Sequence, residues 1–152
     1  KNNKLNIDKS RNDHVKATWH DSCNTARGMG LLDEPRYVLD NVVNNWVDMP
    51  ENAIREKTFC CGSGTGLNTE EILEIRMRGG LPRANAVKYV HDKHDVNMLA
   101  CVCAIDRATL LALMGYWVPD VRVCGLSELV GNSWVLEGED RQELEDGLRT
   151  MI

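Results

Sequence analysis

Residues 97–119 read Asn97-Met98-Leu99-Ala100-Cys101-Val102-Cys103-Ala104-Ile105-Asp106-Arg107-Ala108-Thr109-Leu110-Leu111-Ala112-Leu113-Met114-Gly115-Tyr116-Trp117-Val118-Pro119. A short apolar run from Asn97 to Ala100 stops at Cys101. Asp106 then caps a helix whose Leu110, Leu113, Met114 and Trp117 recur at helical spacing, and Pro119 stops it. This is a strand-then-helix unit with a thiol-bearing loop between its two elements.

The same order recurs on both sides. Val15 to Trp19 is a β-prone run ending at His20-Asp21-Ser22-Cys23. The acidic start and early proline of Asp33-Glu34-Pro35 then open a helix whose Val38, Leu39, Val42, Val43, Trp46 and Val47 share one face. Thr58-Phe59 leads into Cys60-Cys61-Gly62-Ser63-Gly64-Thr65-Gly66, after which Asn68 or Thr69 caps a helix with Glu70 and Glu71 in its first turn. Gly79-Gly80 ends that helix, and Leu81-Pro82 restarts one through Ala84, Val87 and Val90. Beyond Pro119, Val121 and Val123 alternate as a strand, Ser127 starts a helix, and Glu139 to Met151 forms an amphipathic one carrying Leu144, Leu148 and Met151. Repeated β-α units predict an α/β fold, a β-α layered domain with a mostly parallel sheet. Cys23, Cys60-Cys61, Cys101-Cys103 and Cys124 each follow a predicted strand directly. Such sheets carry their sites beyond the carboxyl ends of the strands, so these cysteine-bearing loops can converge on one edge.

The chain has 152 residues, enough for one domain with its own core. Its net charge of -5 argues against a nucleic-acid partner. No apolar run approaches a bilayer span, so the chain has no direct membrane span and any membrane role comes through a partner. It begins at Lys1 without methionine, which marks it as processed or as a piece of something longer. Residues 1–13 read as a linker or weakly ordered entry, and 137–152 as a C-terminal amphipathic helix.

The arrangement of the six cysteines points to a metal cluster. A disulfide framework would put a strained ring at Cys60-Cys61 in a chain that opens on no signal peptide. Buried free thiols explain Cys124 well and the vicinal pair badly. Thiolates around an iron-sulfur core leave a net negative group, which backbone N–H groups can neutralise. Gly62, Gly64 and Gly66 let the main chain approach sulfide, helix starts after Cys23, Gly66 and Cys103 offer positive dipole ends, and Arg27 and Arg107 are near in sequence. Solvated surface is the competing role for both arginines. The glycine loop lacks the lysine of a P-loop and the spacing of a dinucleotide turn. His91 and His94 read as a solvated helix end rather than as metal ligands. His20 is the better candidate for proton handling, with a core hydrogen bond as its alternative. A structural zinc module would use four of the same thiolates.

His20-Asp21-Ser22-Cys23, Glu34-Pro35-Arg36 and Cys60-Cys61-Gly62-Ser63-Gly64 make the chain resemble, over about Trp19 to Val123, the cysteine-rich CCG domain of heterodisulfide-reductase-type subunits. The family pattern is a lone cysteine, then Cys-Cys-Gly, then Cys-x-x-Cys. Within it, Asn24-Thr25-Ala26-Arg27-Gly28 and the stretch from Cys103 to Leu110 are similar to DsrK-type subunits of a sulfite-reduction-linked membrane complex.

The resemblance implies that residues 14–136 are a CCG iron-sulfur domain of an oxidoreductase. Electrons from a membrane quinol or cytochrome system would pass to a disulfide or trisulfide. Implied partners are a DsrC-like sulfur carrier and membrane-complex subunits that include a cytochrome b-type quinol-oxidising one. The place implied is cytoplasmic, peripherally attached to the inner membrane through those subunits. Cys23, Cys60 and Cys61 carry over as ligands of a 4Fe-4S cluster, cubane or non-cubane. The last element departs from the pattern, reading either Cys101-Val102-Cys103 or Cys103-Ala104-Ile105-Asp106 with aspartate in the final cysteine's place. His20 and Arg27 are candidates at the cluster mouth. A generic CCG relay in an organic-acid oxidase stays open beside the sulfur chemistry, as does zinc.

Overall fold

A computed structural model describes residues 5–64 and 70–136. Four parallel strands form one sheet in the order β2-β1-β3-β4, where β1 is Lys16–Trp19, β2 Asn45–Val47, β3 Met98–Cys101 and β4 Arg122–Gly125. Helix α1 (Glu34–Val42) connects β1 to β2, α2 (Leu73–His94) precedes β3, α3 (Ala104–Trp117) connects β3 to β4, and α4 (Leu126–Ser133) follows β4. The α/β layered reading holds.

Strand alternation sends successive residues to opposite faces. Leu99, Cys101 and Val123 enter a core with Val87 and Val90 of α2 and Leu110, Leu113 and Met114 of α3. Ala17, Trp19, Ala100 and Cys124 enter a second core with Leu39 and Val42 of α1 and Leu129 of α4. α2 packs on α3 and α1 on α4, which makes two helical layers around the sheet. The strand order reverses between β1 and β3. In open α/β sheets this is where a crevice opens beyond the carboxyl ends of the strands.

Several local expectations are corrected. The first helix ends at Val42, where Val43 is already extended (φ -129, ψ 136), and residues 45–47 pair in parallel with Lys16 to Thr18. Asn44 and Asn45 compete for backbone hydrogen bonds, and the open edge of β1 offers a ladder that the helix does not. Gly79-Gly80 does not end a helix, because α2 runs unbroken from Leu73 to His94 with Pro82 inside it. Gly80 serves close packing instead. A Cβ at Gly80 would stand 2.8 Å from Leu113 Cδ2 and 2.9 Å from the Cys61 carbonyl oxygen. α2 stops at Asp95, which takes the left-handed conformation (φ 55).

Asp106 does not cap α3. Cys103 holds the N-cap position and Asp106 lies inside the first turn. Cys101 is the last residue of β3 and Cys124 lies within β4, rather than in loops beyond the strands. Cys60-Cys61 follows a short 3-10 turn, Arg55–Lys57, and no strand. Asn68, Thr69 and Gly66, and the helix expected over 139–151, lie outside the described residues.

Gly62 has φ +101, and a Cβ there would meet the Arg76 carbonyl oxygen of α2 at 2.4 Å. Both the conformation and the backbone contact exclude a side chain. Gly62→Ala is expected to cost at least about 1–3 kcal/mol in urea denaturation. Gly28→Ala, where nothing lies within 4 Å, is expected to stay within about 0.5 kcal/mol of the parent.

Candidate metal centre at the carboxyl edge of the sheet

The site is assembled by the segment that leaves β1. His20, Asp21 and Ser22 are all buried, and Cys23 emerges exposed ahead of a single π-helical turn, Asn24–Gly28. Asp21 holds this exit in place. Its Oδ1 accepts from Trp19 Nε1 (2.9 Å) and Arg36 Nη1 (2.9 Å), and its Oδ2 accepts from Arg36 Nη2 (2.8 Å) and the Arg55 N–H (2.7 Å). Arg36 also donates from Nε and Nη2 to Asp48 at 2.9 and 2.8 Å. Burial works to raise the Asp21 carboxyl, but the hydrogen bonds from Arg36 and Arg55 outweigh it and hold the group below the ordinary carboxylate value. The Asp21 carbonyl accepts from Thr58 Oγ1 (2.7 Å), which ties the exit of β1 to the approach of the Cys60-Cys61 turn.

Arg27 makes a second tie between the same segments. Its Nε donates to the Glu56 carbonyl (2.8 Å) and its Nη2 to the Thr58 carbonyl (2.7 Å). The loop bearing Cys23 and the loop bearing Cys60 are thereby stitched together. Cys60 is exposed and Cys61 buried. The Gly62 N–H donates to Cys60 Sγ (3.3 Å), and the Cys61 thiol to Ser63 Oγ (3.4 Å).

A third segment enters from α3. Ligand atoms of His20, Cys61 and Asp106 all lie within 4.8 Å of one another, and all three residues are buried. Asp106 Oδ2 stands 3.5 Å from His20 Nε2, yet it lacks a well-formed hydrogen bond, as does His20 Nδ1. Buried polar atoms without partners are rare enough to call for an explanation, such as a place for an ion or water. Burial, then the nearby Arg83 charge, push the His20 imidazole below its ordinary value, which favours its neutral form. Burial raises the Asp106 carboxyl, but contacts from His20, Cys61 and Ser22 bring it net downward. Burial foremost pushes the Cys61 thiol up to about 12, with the Asp106 carboxylate adding to it.

The structure therefore brings together the loops of Cys23 and Cys60-Cys61 and the start of α3, where Cys103 is half-buried. His20 lies beneath Cys61 at 1% exposure rather than at a rim, and Arg27 is at the surface. Cys101 faces the core between α2 and α3, donates to the Cys124 carbonyl at 3.5 Å, and is pushed up to about 12 by burial. Cys124 points to the opposite core. Arg107 pairs with Glu128. Gly62 and Gly64 both have positive φ.

Sequence reasoning missed Arg83. It is fully buried, and it lies on the same face of α2 as Gly80, Ala84, Val87 and Val90. A cation in the middle of an apolar helical stripe was the signal available.

The donor set suits an iron-sulfur group. Thiols come from three neighbouring segments, those of Cys23 and Cys60 are open to solvent, and the unpartnered Asp106 Oδ2 lies beside His20 and the Cys61 thiol. A family model described as a cysteine-rich domain, CCG, matches residues 17–103. An "Hdr-like menaquinol oxidoreductase iron-sulfur subunit" of Archaeoglobus profundus is 52% identical over 151 residues, 98% of this chain and 27% of that protein. The corresponding "iron-sulfur subunit 2" of Archaeoglobus fulgidus is 51% identical over 144 residues, 91% of this chain and 26% of that protein. A subunit of the "Dihydromethanophenazine:CoB--CoM heterodisulfide reductase" of Methanosarcina mazei is 38% identical over 68 residues, 44% of this chain and 16% of that protein. The chain spans about a quarter of the length of the first two. No solved structure matches it.

Removing one partner of a buried ion pair leaves the other charge uncompensated. Asp21→Ala is expected to cost about 3–5 kcal/mol in chemical denaturation at neutral pH. Because the folded-state value of Asp21 is depressed, its stabilisation is present above the ordinary carboxylate pKa and lost as pH falls through the depressed one. The gap between parent and variant should therefore shrink below about pH 4.

Proposed function

The chain belongs to the cysteine-rich CCG domain family, and on that premise we propose that it is the iron-sulfur domain of a heterodisulfide-reductase-like oxidoreductase subunit. The observation that carries this reading is the convergence of the Cys23, Cys60-Cys61 and Cys103 segments around the buried His20, Cys61 and Asp106. Cys23, Cys60, Cys61 and Cys103 would hold the cluster, with Cys101 or Asp106 completing its shell. Bound there, an iron-sulfur cluster supplies one-electron exchange.

The chain's own residues do the rest. Arg27 fixes the spacing of the two loops that carry Cys23 and Cys60. Gly62 and Gly64 let the turn fold back without side chains in the way. The exposed positions of Cys23 and Cys60 leave an open mouth for the tail of a sulfur substrate, and Arg27 at the surface can attract a departing thiolate. Electrons would come from a membrane quinol or cytochrome system and pass to a disulfide or trisulfide on a DsrC-like carrier. The names of the relatives, a menaquinol oxidoreductase subunit and a heterodisulfide reductase subunit, support the donor and the bond type. Among the described residues no helix is long and apolar enough to cross a membrane. Attachment to the cytoplasmic side of the inner membrane would run through partner subunits, including a cytochrome b-type one.

Anaerobically purified protein is expected to be brown and to contain iron and acid-labile sulfide. Cys60→Ala and Cys61→Ala should each abolish that content, and Cys124→Ala should leave it largely intact. A colourless, zinc-loaded protein would overturn the reading. The second measurement is EPR of the oxidised protein with and without a disulfide or trisulfide. A change in the signal on adding substrate is expected, and an unchanged signal would reduce the domain to an electron relay.

A further inference from the structure

Arg83 projects from α2 into the core beneath the Cys60-Cys61 turn and is 0% exposed. All its hydrogen bonds go to uncharged acceptors. Nη1 donates to Met49 Sδ (2.7 Å), and Nη2 to the Ala53 carbonyl (2.8 Å), Thr58 Oγ1 (2.6 Å) and the Phe59 carbonyl (3.3 Å), while Nε has no partner. The guanidinium carbon lies 5.9 Å from the centre of the Phe59 ring. Among the described residues no carboxylate stands within ion-pair distance of it. Arg36, by contrast, is paired with two aspartates.

Taking a guanidinium out of water costs several kcal/mol unless an opposite charge compensates it. Burial pushes Arg83 down to about 10, which still leaves it charged at neutral pH. The acidic groups that act on its charge are the Asp21 and Asp106 carboxyls and the thiols of Cys61 and Cys60. Asp21 is already committed to Arg36, which leaves Asp106, beyond ion-pair distance, and the vicinal thiols as the groups whose charge Arg83 can balance. The carbonyl that Arg83 grips at Phe59 immediately precedes Cys60. The sequence puts this cation nowhere near a cysteine, since 22 positions separate it from Cys61.

We propose that Arg83 is the built-in countercharge of the metal centre. It holds the Cys60-Cys61 turn from below and raises the reduction potential of the group bound there. A cluster ligated by thiolates is net negative, and each electron it accepts adds to that charge. A fixed cation in a medium of low dielectric favours the reduced form. This inference rests on the iron-sulfur reading above and makes Arg83 a positioning residue, not a catalytic one.

The test is an EPR-monitored redox titration of the iron-loaded subunit in its complex, with iron content measured alongside. Arg83→Met removes the charge. Met49→Glu keeps Arg83 but places a carboxylate against Nη1, so the charge is neutralised without losing the arginine. Both are expected to lower the ratio of reduced to oxidised cluster at a fixed ambient potential by about tenfold, a midpoint shift of about 59 mV for one electron. Arg83→Lys should keep its midpoint close to the parent. Should Arg83→Met fail to assemble, Met49→Glu carries the test alone. Midpoints of Arg83→Met and Met49→Glu equal to the parent's, or an Arg83→Lys midpoint displaced as far as that of Arg83→Met, would overturn the proposal. A parent protein without iron and sulfide would instead overturn the iron-sulfur reading itself, and this inference with it.

Discussion

The buried pairing of Asp21 with Arg36 is the constraint on which the rest of the architecture depends. Asp21 leaves β1 at the point where the chain must turn away from the sheet, and its carboxylate receives four hydrogen bonds there. Those bonds reach back into β1 through Trp19, across to α1 through Arg36, and forward to the Arg55 turn. The Asp21 carbonyl adds Thr58. One side chain thus sets the relative positions of the segments that carry Cys23 and Cys60. A buried ion pair contributes little net stability against an apolar substitute, but breaking one half is costly, and this favours a single geometry.

Around that fixed pair, charge is distributed unevenly. Arg36 is saturated by two carboxylates, whereas Arg83 is buried against neutral oxygens and a thioether. On the other side, Cys61, Cys101 and Cys124 are each pushed up to about 12, first by burial. Such thiols keep their protons at neutral pH, and binding a metal at Cys61 means releasing its proton. Beside the Cys60-Cys61 turn the polypeptide by itself holds the buried Arg83 guanidinium, the Asp106 carboxylate and a protonated Cys61 thiol. A thiolate-ligated centre would release the thiol proton and add negative charge beside Arg83, which couples loading of the site to the electrostatics of the fold.

The order of the strands explains why the candidate site lies where it does. The reversal of strand order between β1 and β3 opens the sheet at the carboxyl ends of those two strands. Cys23 follows β1, and Cys103 follows β3 as the N-cap of α3. The Cys60-Cys61 turn enters from the side and closes against α2 through the contact of Gly62 with Gly80 and Arg76. Glycine is required on both surfaces, because two backbones approach more closely than any Cβ would allow.

The sequence by itself determined the class of the fold and the thiols of interest. Apolar runs followed by helical periodicity are local patterns, and the short-range code of strands and helices is enough to read a parallel α/β sheet from them. The vicinal pair Cys60-Cys61 and the Gly62 turn were equally legible, because their chemistry lies in adjacent residues. What only the tertiary structure decided were matters of contact between distant segments. β2 replaced the end of a predicted helix because β1 had an open edge to fill. Gly79-Gly80 stayed helical where Leu113 and Cys61 pack closely against Gly80. Asp106 became a member of the buried cluster with His20 and Cys61, rather than a helix cap, because α3 starts three residues before the position that its own pattern favours. Arg83 reads in the sequence as one more charge on a helix. Its meaning comes from its removal from solvent into a shell of uncharged acceptors, and desolvation is a property of the folded environment that no local pattern of residues encodes.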